Sequence, residues 1–357
     1  MTGAGRGAAG GRTWEGGIRL GAYSLRWRLR PLAAAVVLLA VLTAALPFVI
    51  ALGPGGLDAA ATVAALVGQG SPTERLLVLE LRLPRVLTAV AGGLALGVAG
   101  CLMQTLARNR LATPAILGVN EGATLAVMFS VFVTGTDALG PWWTAPLGAL
   151  AAMALLLVLT GDIGSRGYRV LVIGLALSAV LRSTAELGLS WGELQHASAV
   201  YIWSMGSLNA RGDAVTGPGM VLLGVVLVTA WLLARRLALL QFDEDSATSL
   251  GLDVRWCQLI ALLLAVVLAG LAVGIAGPVG GPMGFIALAS PIIARGLAGR
   301  PGVPLAVSGL IGALLVLGAD TVGRVVVAPA ELPAGAITSI VGGPFLIWVL
   351  LSNSREG

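Results

Sequence analysis

Long, uninterrupted apolar segments dominate the chain, and short polar segments separate them. The pattern predicts ten helices that each cross a bilayer, a task that needs roughly 20 residues. Continuous rather than alternating apolar runs indicate membrane helices and not a transmembrane barrel. The predicted spans are 31–54, 85–106, 113–134, 143–161, 169–190, 215–234, 256–277, 281–297, 303–322 and 333–352. A break is expected in the short eighth span, which contains Pro282 and Pro291.

Composition supports an all-α polytopic membrane protein. Hydrophobic residues make up 57% of the 357 residues and charged residues only 11%, whereas a soluble globular chain is about 25% charged. We expect one transmembrane domain over 31–352. A disordered basic tail over 1–30 precedes it, and a short tail over 353–357 follows it.

Arginine placement predicts the orientation. With the N terminus in the cytoplasm, sixteen of the 22 arginines fall in cytoplasmic segments, as the positive-inside rule requires. Both termini are therefore expected on the cytoplasmic side of the membrane. Six arginines go against the trend: Arg75, Arg82, Arg85, Arg182, Arg211 and Arg324.

An internal similarity indicates two halves. The segment Gly93–Gly100 reads GLALGVAG, and Gly270–Gly277 reads GLAVGIAG, 177 residues later. The two copies run through the predicted membrane in opposite directions, which favours an inverted repeat of five spans, a plan common among transporters. The alternative is that both are ordinary helices with small residues at packing positions.

Several kinds of site are excluded or disfavoured. The chain has 22 arginines, one histidine (His196) and no lysine, so it lacks the lysine of a Walker A motif. ATP hydrolysis must then come from a partner, and the chain is not expected to be an enzyme. Cys101 and Cys257 are interpreted as small buried hydrophobes. No ligand set for a metal or cofactor is apparent.

The longest predicted cytoplasmic loop, about 235–255, contains a short helix signal. Asp243 is a candidate N-cap, Glu244 and Asp245 suit the first turn, and Gly251 is a candidate C-cap. The functional interpretation is a docking surface for a cytoplasmic motor. An ordinary solvated loop is the alternative.

Motifs along residues 31–352 resemble those of the FecCD-type family, the permease subunits of iron-siderophore, haem and cobalamin ABC importers. The strongest is the segment from 81 to 123, and others follow towards the C terminus. The matching positions are Arg82-Leu83-Pro84-Arg85, Gly100, Gln104, Asn109, Leu111-Ala112, Pro114, Leu117-Gly118, Gly122-Ala123, Trp203, Gly206-Ser207-Leu208, Glu244, Ala247, Leu250-Gly251, Gly284-Phe285, Pro291, Arg295, Asp320-Thr321, Arg324, Glu331-Leu332-Pro333, Gly335 and Gly343-Pro344-Phe345.

The resemblance implies a type II ABC importer permease with inverted five-helix repeats, in the cytoplasmic membrane of a bacterium. Its implied partners are a second permease subunit, two cytoplasmic ATPase subunits that bind ATP and Mg²⁺, and an extracytoplasmic substrate-binding protein. Membrane lipid surrounds the assembly, and no nucleic acid is involved. A ferric siderophore is the expected cargo. Haem or cobalamin is the alternative cargo, and a proton-coupled secondary transporter is the alternative mechanism.

The resemblance also implies roles for particular residues. Arg82, Arg85 and Arg324 match arginines that dock the binding protein, although snorkelling at helix ends is the bland alternative. Asn109 and Leu111 match an inner gate, and Gly167 and Tyr168 fall near a second gate. The segment that receives the ATPase corresponds to Asp243, Glu244, Ser246, Ala247, Leu250 and Gly251.

Two kinds of position need separate attention. Arg110 stands where the family has proline and adds charge beside the predicted inner gate. Ile292 stands where the family has histidine, so no role for that histidine transfers. Gln104 and Glu121 are candidates for lining the pathway, since an acid in a membrane span is a functional hypothesis by default. Glu121 could instead pair with an arginine. Glu186 is expected to pair with Arg182 at i, i+4 spacing.

Overall fold

The computed structural model describes residues 15–20, 23–53, 57–134, 141–161, 167–191, 201, 203–208, 217–277, 284–299, 302–326 and 331–353. Several predictions fall outside these residues: the tail before residue 15, the start of the eighth span at 281–283, and the end of the chain after 353. Near the predicted second gate, the structure describes the helical backbone of Gly167 and Tyr168 but not the Tyr168 side chain.

Thirteen α-helices follow one another along the described chain. They are α1 Leu29–Ala51, α2 Ala59–Leu66, α3 Pro72–Leu76, α4 Leu83–Leu106, α5 Val119–Thr134, α6 Thr144–Thr160, α7 Gly167–Trp191, α8 Pro218–Ala238, α9 Glu244–Ser249, α10 Val254–Ala276, α11 Gly284–Ala298, α12 Leu305–Val325 and α13 Ala334–Asn353. Each predicted span overlaps one of the ten longer helices. Seven are long and apolar enough to cross a membrane, and α5, α6 and α11 are shorter apolar helices.

The third and eighth spans differ in detail from their predictions. A 3₁₀ turn at Pro114–Leu117 and a left-handed Gly118 interrupt the third span, so its α-helix begins at Val119. A break is predicted in the eighth span; α11 continues through Pro291 as one helix, and Pro282 lies outside the described residues. A π-helical turn, Leu77–Arg82, joins α3 directly to α4.

A two-stranded antiparallel hairpin precedes α1. Its strands are β1 Glu15–Leu20 and β2 Tyr23–Arg28, and Ile18 pairs with Leu25. For these residues the prediction of disorder differs from the structure. The alternation of apolar and polar residues in YSLRWR favours a strand, whereas the glycine and arginine content of the tail carries no information about this alternation.

Glycine lets α4 approach α12 closely. A Cβ atom at Gly93 or Gly97 would collide with the backbone of Gly312 or Ser308. The Ser308 hydroxyl donates a hydrogen bond across this contact to the Gly97 carbonyl at 2.6 Å. Small residues allow such backbone contact between membrane helices.

The matching glycines of α10 make the reciprocal contact. Cβ atoms at Gly270 and Gly274 would meet the backbone of Pro146 and Trp142, at the start of α6. The second span of each half therefore packs against the fourth span of the other half: α4 on α12, and α10 on α6. This exchange is what an inverted five-helix repeat requires, and the predicted fold class is confirmed.

The two ends of the bundle are named here by their arginines. The Arg85 face is the end at which α4 begins and α1 and α12 end. The Arg108 face is the end at which α1 begins, α4 ends and α9 lies. Arg30, in the first turn of α1, packs against Gly299 at the Arg108 face.

Candidate functional site

Arginines from other helices hold the last carbonyls of α1 at the Arg85 face. Arg82 donates through Nη1 to the carbonyl oxygens of Ile50 and Ala51 at 2.7 and 2.8 Å. Arg324 donates through Nη1 to that of Leu52 at 3.0 Å. The last turn of α1 has no basic residue of its own, so these side chains supply the positive charge that a helix C terminus attracts.

A buried carboxylate links the same arginines. Asp320 is fully buried, and its Oδ1 accepts from Nε and Nη2 of Arg85 at 3.0 and 2.9 Å. Its Oδ2 lies 3.1 Å from Arg324 Nε in an ion pair whose angles fall short of a hydrogen bond. Arg85 Nη1 also donates to Glu331 Oε2 at 2.7 Å. Two buried or nearly buried cations therefore share one buried anion.

The three arginines predicted to dock a binding protein do lie together. Arg82 and Arg324 are buried, however, and all three have partners within the chain. The exposed edge of the cluster is the pair formed by Arg85 and Glu331. Sequence reasoning missed Asp320 as the central partner, although its i, i+4 spacing from Arg324 and its place in an apolar span were available signals.

At the Arg108 face, a tight turn follows α4. Asn109 Oδ1 accepts a hydrogen bond from the Leu111 amide at 2.9 Å, and Arg108 has the left-handed φ of 49°. Such a φ is uncommon for a residue other than glycine and marks backbone worth a functional question. The predicted inner-gate residues Asn109 and Leu111 thus belong to one strained turn.

The predicted short helix exists as α9, with the predicted caps. Asp243 Oδ2 accepts from the Ser246 amide at 3.0 Å. At the other end Gly251 has a left-handed φ of 82°, and its amide donates a hydrogen bond to the Thr248 carbonyl oxygen at 2.8 Å. The Leu252 amide donates to the Ala247 carbonyl at 3.1 Å, which completes a Schellman motif.

The remaining residues of this segment divide between anchoring and exposure. Ala247 is buried in the core, whereas Leu250 is 62% exposed. Glu244 lies in the first turn, where a negative charge favours the helix. The hydrogen bond from the Ser246 amide lowers the pKa of the Asp243 carboxyl, and the nearby positive charge of Arg108 lowers it further. Asp243 and Arg108 carry opposite charges, which attract each other between α9 and the turn after α4.

Gln104, predicted to line a pathway, is almost completely buried. Its Oε1 accepts from Arg295 Nη1 at 2.7 Å, and its Nε2 donates to the Leu288 carbonyl at 3.1 Å. Gln104 thus fixes Arg295 of α11 in place, 191 residues further along the chain. Arg295 was noted only as part of a motif, and nothing in its local sequence indicated this partner.

Glu121 pairs with an arginine, one of the two roles considered for it. Arg182 Nη2 donates to Glu121 Oε1 at 3.2 Å. The predicted pairing of Arg182 with Glu186 is therefore replaced by a contact between α5 and α7. Glu121 is buried, and its Oε2 has no hydrogen-bond partner, like the neighbouring Asn120 Oδ1. Arg182 itself is 58% exposed although it lies in an apolar helix.

Both cysteines are free and buried, as predicted.

The sequence comparisons agree with this architecture. The model of the FecCD transport family matches residues 35–352. The ferric enterobactin permease FepG of Escherichia coli K12 is 34% identical over 300 residues, which cover 84% of this chain and 90% of that protein. The corresponding values for FepD of the same strain are 36% over 329 residues, 90% and 95%. The hemin permease HmuU of Yersinia pestis is 34% identical over 294 residues, 78% and 84%.

Solved structures show the same fold. A metal-chelate type ABC transporter in an inward-facing conformation aligns with a TM-score of 0.73 at 24% identity, covering 90% of this chain and 99% of that one. PsaBC from Streptococcus pneumoniae aligns with a TM-score of 0.53 at 15% identity. With the family model matching nearly nine-tenths of its length, this chain belongs to the FecCD transport family.

Proposed function

We propose that this chain is the permease subunit of an ABC importer that carries a ferric siderophore across the cytoplasmic membrane by alternating access. The family match over residues 35–352 is the observation that carries the proposal. It is supported by relatives whose names assign them to ferric enterobactin transport, at 34% and 36% identity.

In this proposal a partner supplies the energy. The chain has no lysine for a Walker A site, so two cytoplasmic ATPase subunits bind and hydrolyse ATP with Mg²⁺. The ATPase contact is α9, which presents exposed Leu250 to the partner and anchors buried Ala247 in the core. Capped at both ends, α9 is rigid enough to pass a displacement to α8 and α10, which flank it in the chain.

The proposed orientation places the Arg108 face in the cytoplasm, with both chain termini. Arg30, Arg108 and Arg110 then follow the positive-inside rule. The Arg85 face meets the substrate-binding protein, and the exposed pair of Arg85 and Glu331 is the part of the arginine cluster open to it. A second permease subunit completes the pathway.

The test is uptake by the complex of this chain with its cognate partners, reconstituted in proteoliposomes. A panel of ferric siderophores, haem and cobalamin is offered with the binding protein present. ATP-dependent accumulation of a ferric siderophore is the expected result. Uptake of cobalamin alone, independent of iron, would refute the siderophore assignment and leave the permease class intact.

Haem is the second candidate cargo, because HmuU of Yersinia pestis is as similar as the enterobactin permease FepG. Proton-coupled transport is less well supported, since Glu121, one of the carboxylates that could relay a proton, already has Arg182 as its ion-pair partner at 3.2 Å. Addition of a protonophore separates the mechanisms. Uptake driven by ATP continues, whereas uptake driven by a proton gradient stops.

A further inference from the structure

A cavity of about 310 Å³ opens at the Arg108 face, between the end of α4, the 3₁₀ turn after α8 and the end of α11. Its volume is at the lower end of the range for sites that hold small molecules. The arginines and amide side chains that line it are Gln104, Arg108, Asn109, Arg110, Gln241 and Arg295. Three arginines and three side-chain amides are among them, and none of the lining residues is acidic.

The charge of this cavity is unbalanced in the described part of the chain. Arg110 and Arg295 line the same cavity from different segments, and their like charges repel each other. The ion pairs formed by described residues include none to Arg108, Arg110 or Arg295. Asp243 attracts Arg108 from outside the lining, but one exposed carboxylate does not offset three guanidinium groups. An anion in the cavity would.

Part of the site is held in position without a ligand. Gln104 is 2% exposed, and its two hydrogen bonds, to Arg295 and the Leu288 carbonyl, fix the Arg295 guanidinium at the cavity wall. The hydrogen bond from the Leu111 amide to Asn109 stabilises the turn that carries Arg108 and Arg110. Arg108 keeps its left-handed backbone in that turn, a conformation that is uncommon for residues other than glycine. Preorganised donors of this kind are typical of binding sites.

From this geometry we infer that the cavity is a binding site for a phosphate group. A guanidinium group binds phosphate or carboxylate through two parallel hydrogen bonds. A carboxylate presents its acceptor lone pairs in one plane, whereas a phosphate group offers acceptor oxygens in several directions. Arg108, Arg110 and Arg295 approach the cavity from two separate segments, which suits the tetrahedral anion. The group belongs either to free phosphate or to the headgroup of an anionic phospholipid.

The experiment uses the full chain purified in a maltoside detergent, which contains no phosphate. Thermal unfolding is measured with inorganic phosphate, with acetate, and with phosphatidylglycerol against phosphatidylcholine of the same acyl chains. Free phosphate as the ligand raises the melting temperature at millimolar concentration. A headgroup as the ligand gives stabilisation by phosphatidylglycerol alone. Each of these results supports a phosphate site and identifies the source.

Variants assign the effect to the cavity. Arg110→Gln and Arg108→Asn each weaken binding roughly tenfold to a hundredfold, as the loss of a charge-assisted hydrogen bond predicts. Asparagine tolerates the left-handed backbone at position 108. Arg169→Gln, an exposed arginine in the first turns of α7, is the matched control and binds as the wild type does. Because the Arg110 side chain is exposed, its replacement by glutamine leaves the fold intact, and a smaller rise in melting temperature with phosphate then reports weaker binding.

Three outcomes would overturn the inference. They are the absence of stabilisation by either phosphate source, equal stabilisation by acetate, and stabilisation that survives both Arg110→Gln and Arg108→Asn. None of them bears on the proposed transport function, because uptake of a chelate is measured separately.

Discussion

Replacing Asp320 by asparagine removes the only described carboxylate that is fully buried in the arginine cluster of the Arg85 face. Asparagine has the same shape but no charge. Arg324, almost fully buried, then loses its ion-pair partner at 3.1 Å, and Arg85 loses charge-assisted bonds of 3.0 and 2.9 Å. We expect the loss to be large because it leaves cations without a counter-charge in a water-poor site.

The expected magnitude follows from these contacts. Breaking a buried ion pair by removing one partner costs about 3–5 kcal/mol. Arg85 keeps its 2.7 Å bond to Glu331 and is partly exposed, and the asparagine oxygen still accepts one hydrogen bond. The lower end of the range is therefore expected, about 3 kcal/mol, which is roughly a hundredfold in the folding equilibrium.

The assay is denaturant unfolding in mixed micelles, followed by the fluorescence of the nine tryptophans. Asp245→Asn makes the same chemical change in the exposed first turn of α9 and is the control, with little effect expected. In a double-mutant cycle, the double variant Asp320→Asn with Arg324→Gln loses less stability than the sum of the losses in the two single variants. The difference is about 1–3 kcal/mol. A loss below about 1 kcal/mol for Asp320→Asn, similar to that of the control, would refute the reasoning.

Four further predictions concern packing, capping and docking. Gly97→Ala destabilises the chain by about 1–3 kcal/mol because the added Cβ collides with the Ser308 carbonyl. Gly224→Ala, in open space on α8, is the control and is neutral or stabilising. The midpoints of denaturant unfolding compare the two variants, and equal effects would count against the α4–α12 contact. Asp243→Ala speeds hydrogen exchange at the Ser246 amide and Asp243→Asn does not, since asparagine also caps; equal exchange in both variants would argue against the cap. Because the folded state lowers the pKa of Asp243, protection of the Ser246 amide is fully present above the ordinary aspartate pKa of 3.8 and is lost only as the pH falls through the lower folded pKa. Hydrogen exchange measured from pH 6 downwards tests this, and loss of protection above pH 3.8 would contradict it. Glu331→Gln changes the affinity for the binding protein while leaving basal ATPase activity of the complex unaltered, and unchanged affinity would oppose docking at the Arg85–Glu331 edge.

The sequence by itself was sufficient for features that depend on short stretches of chain. Ten spans could be located because hydropathy over about 20 residues decides whether a helix is stable in a bilayer. The caps at Asp243 and Gly251 were predicted correctly because capping bonds join residues three to five apart. The inverted repeat was visible through glycines such as Gly93 and Gly270, since close helix packing leaves a mark on residue type.

Only the tertiary structure decided which polar groups meet. Arg182 pairs with Glu121, 61 residues away, rather than with Glu186 on its own helix. Gln104 selects Arg295 across 191 residues, and Arg82 binds the end of α1 instead of standing free. A buried charge must find a partner wherever packing brings one within reach, and that partner depends on which helices touch. Helix contacts arise from the folded bundle as a whole, so no local pattern in the chain specifies them.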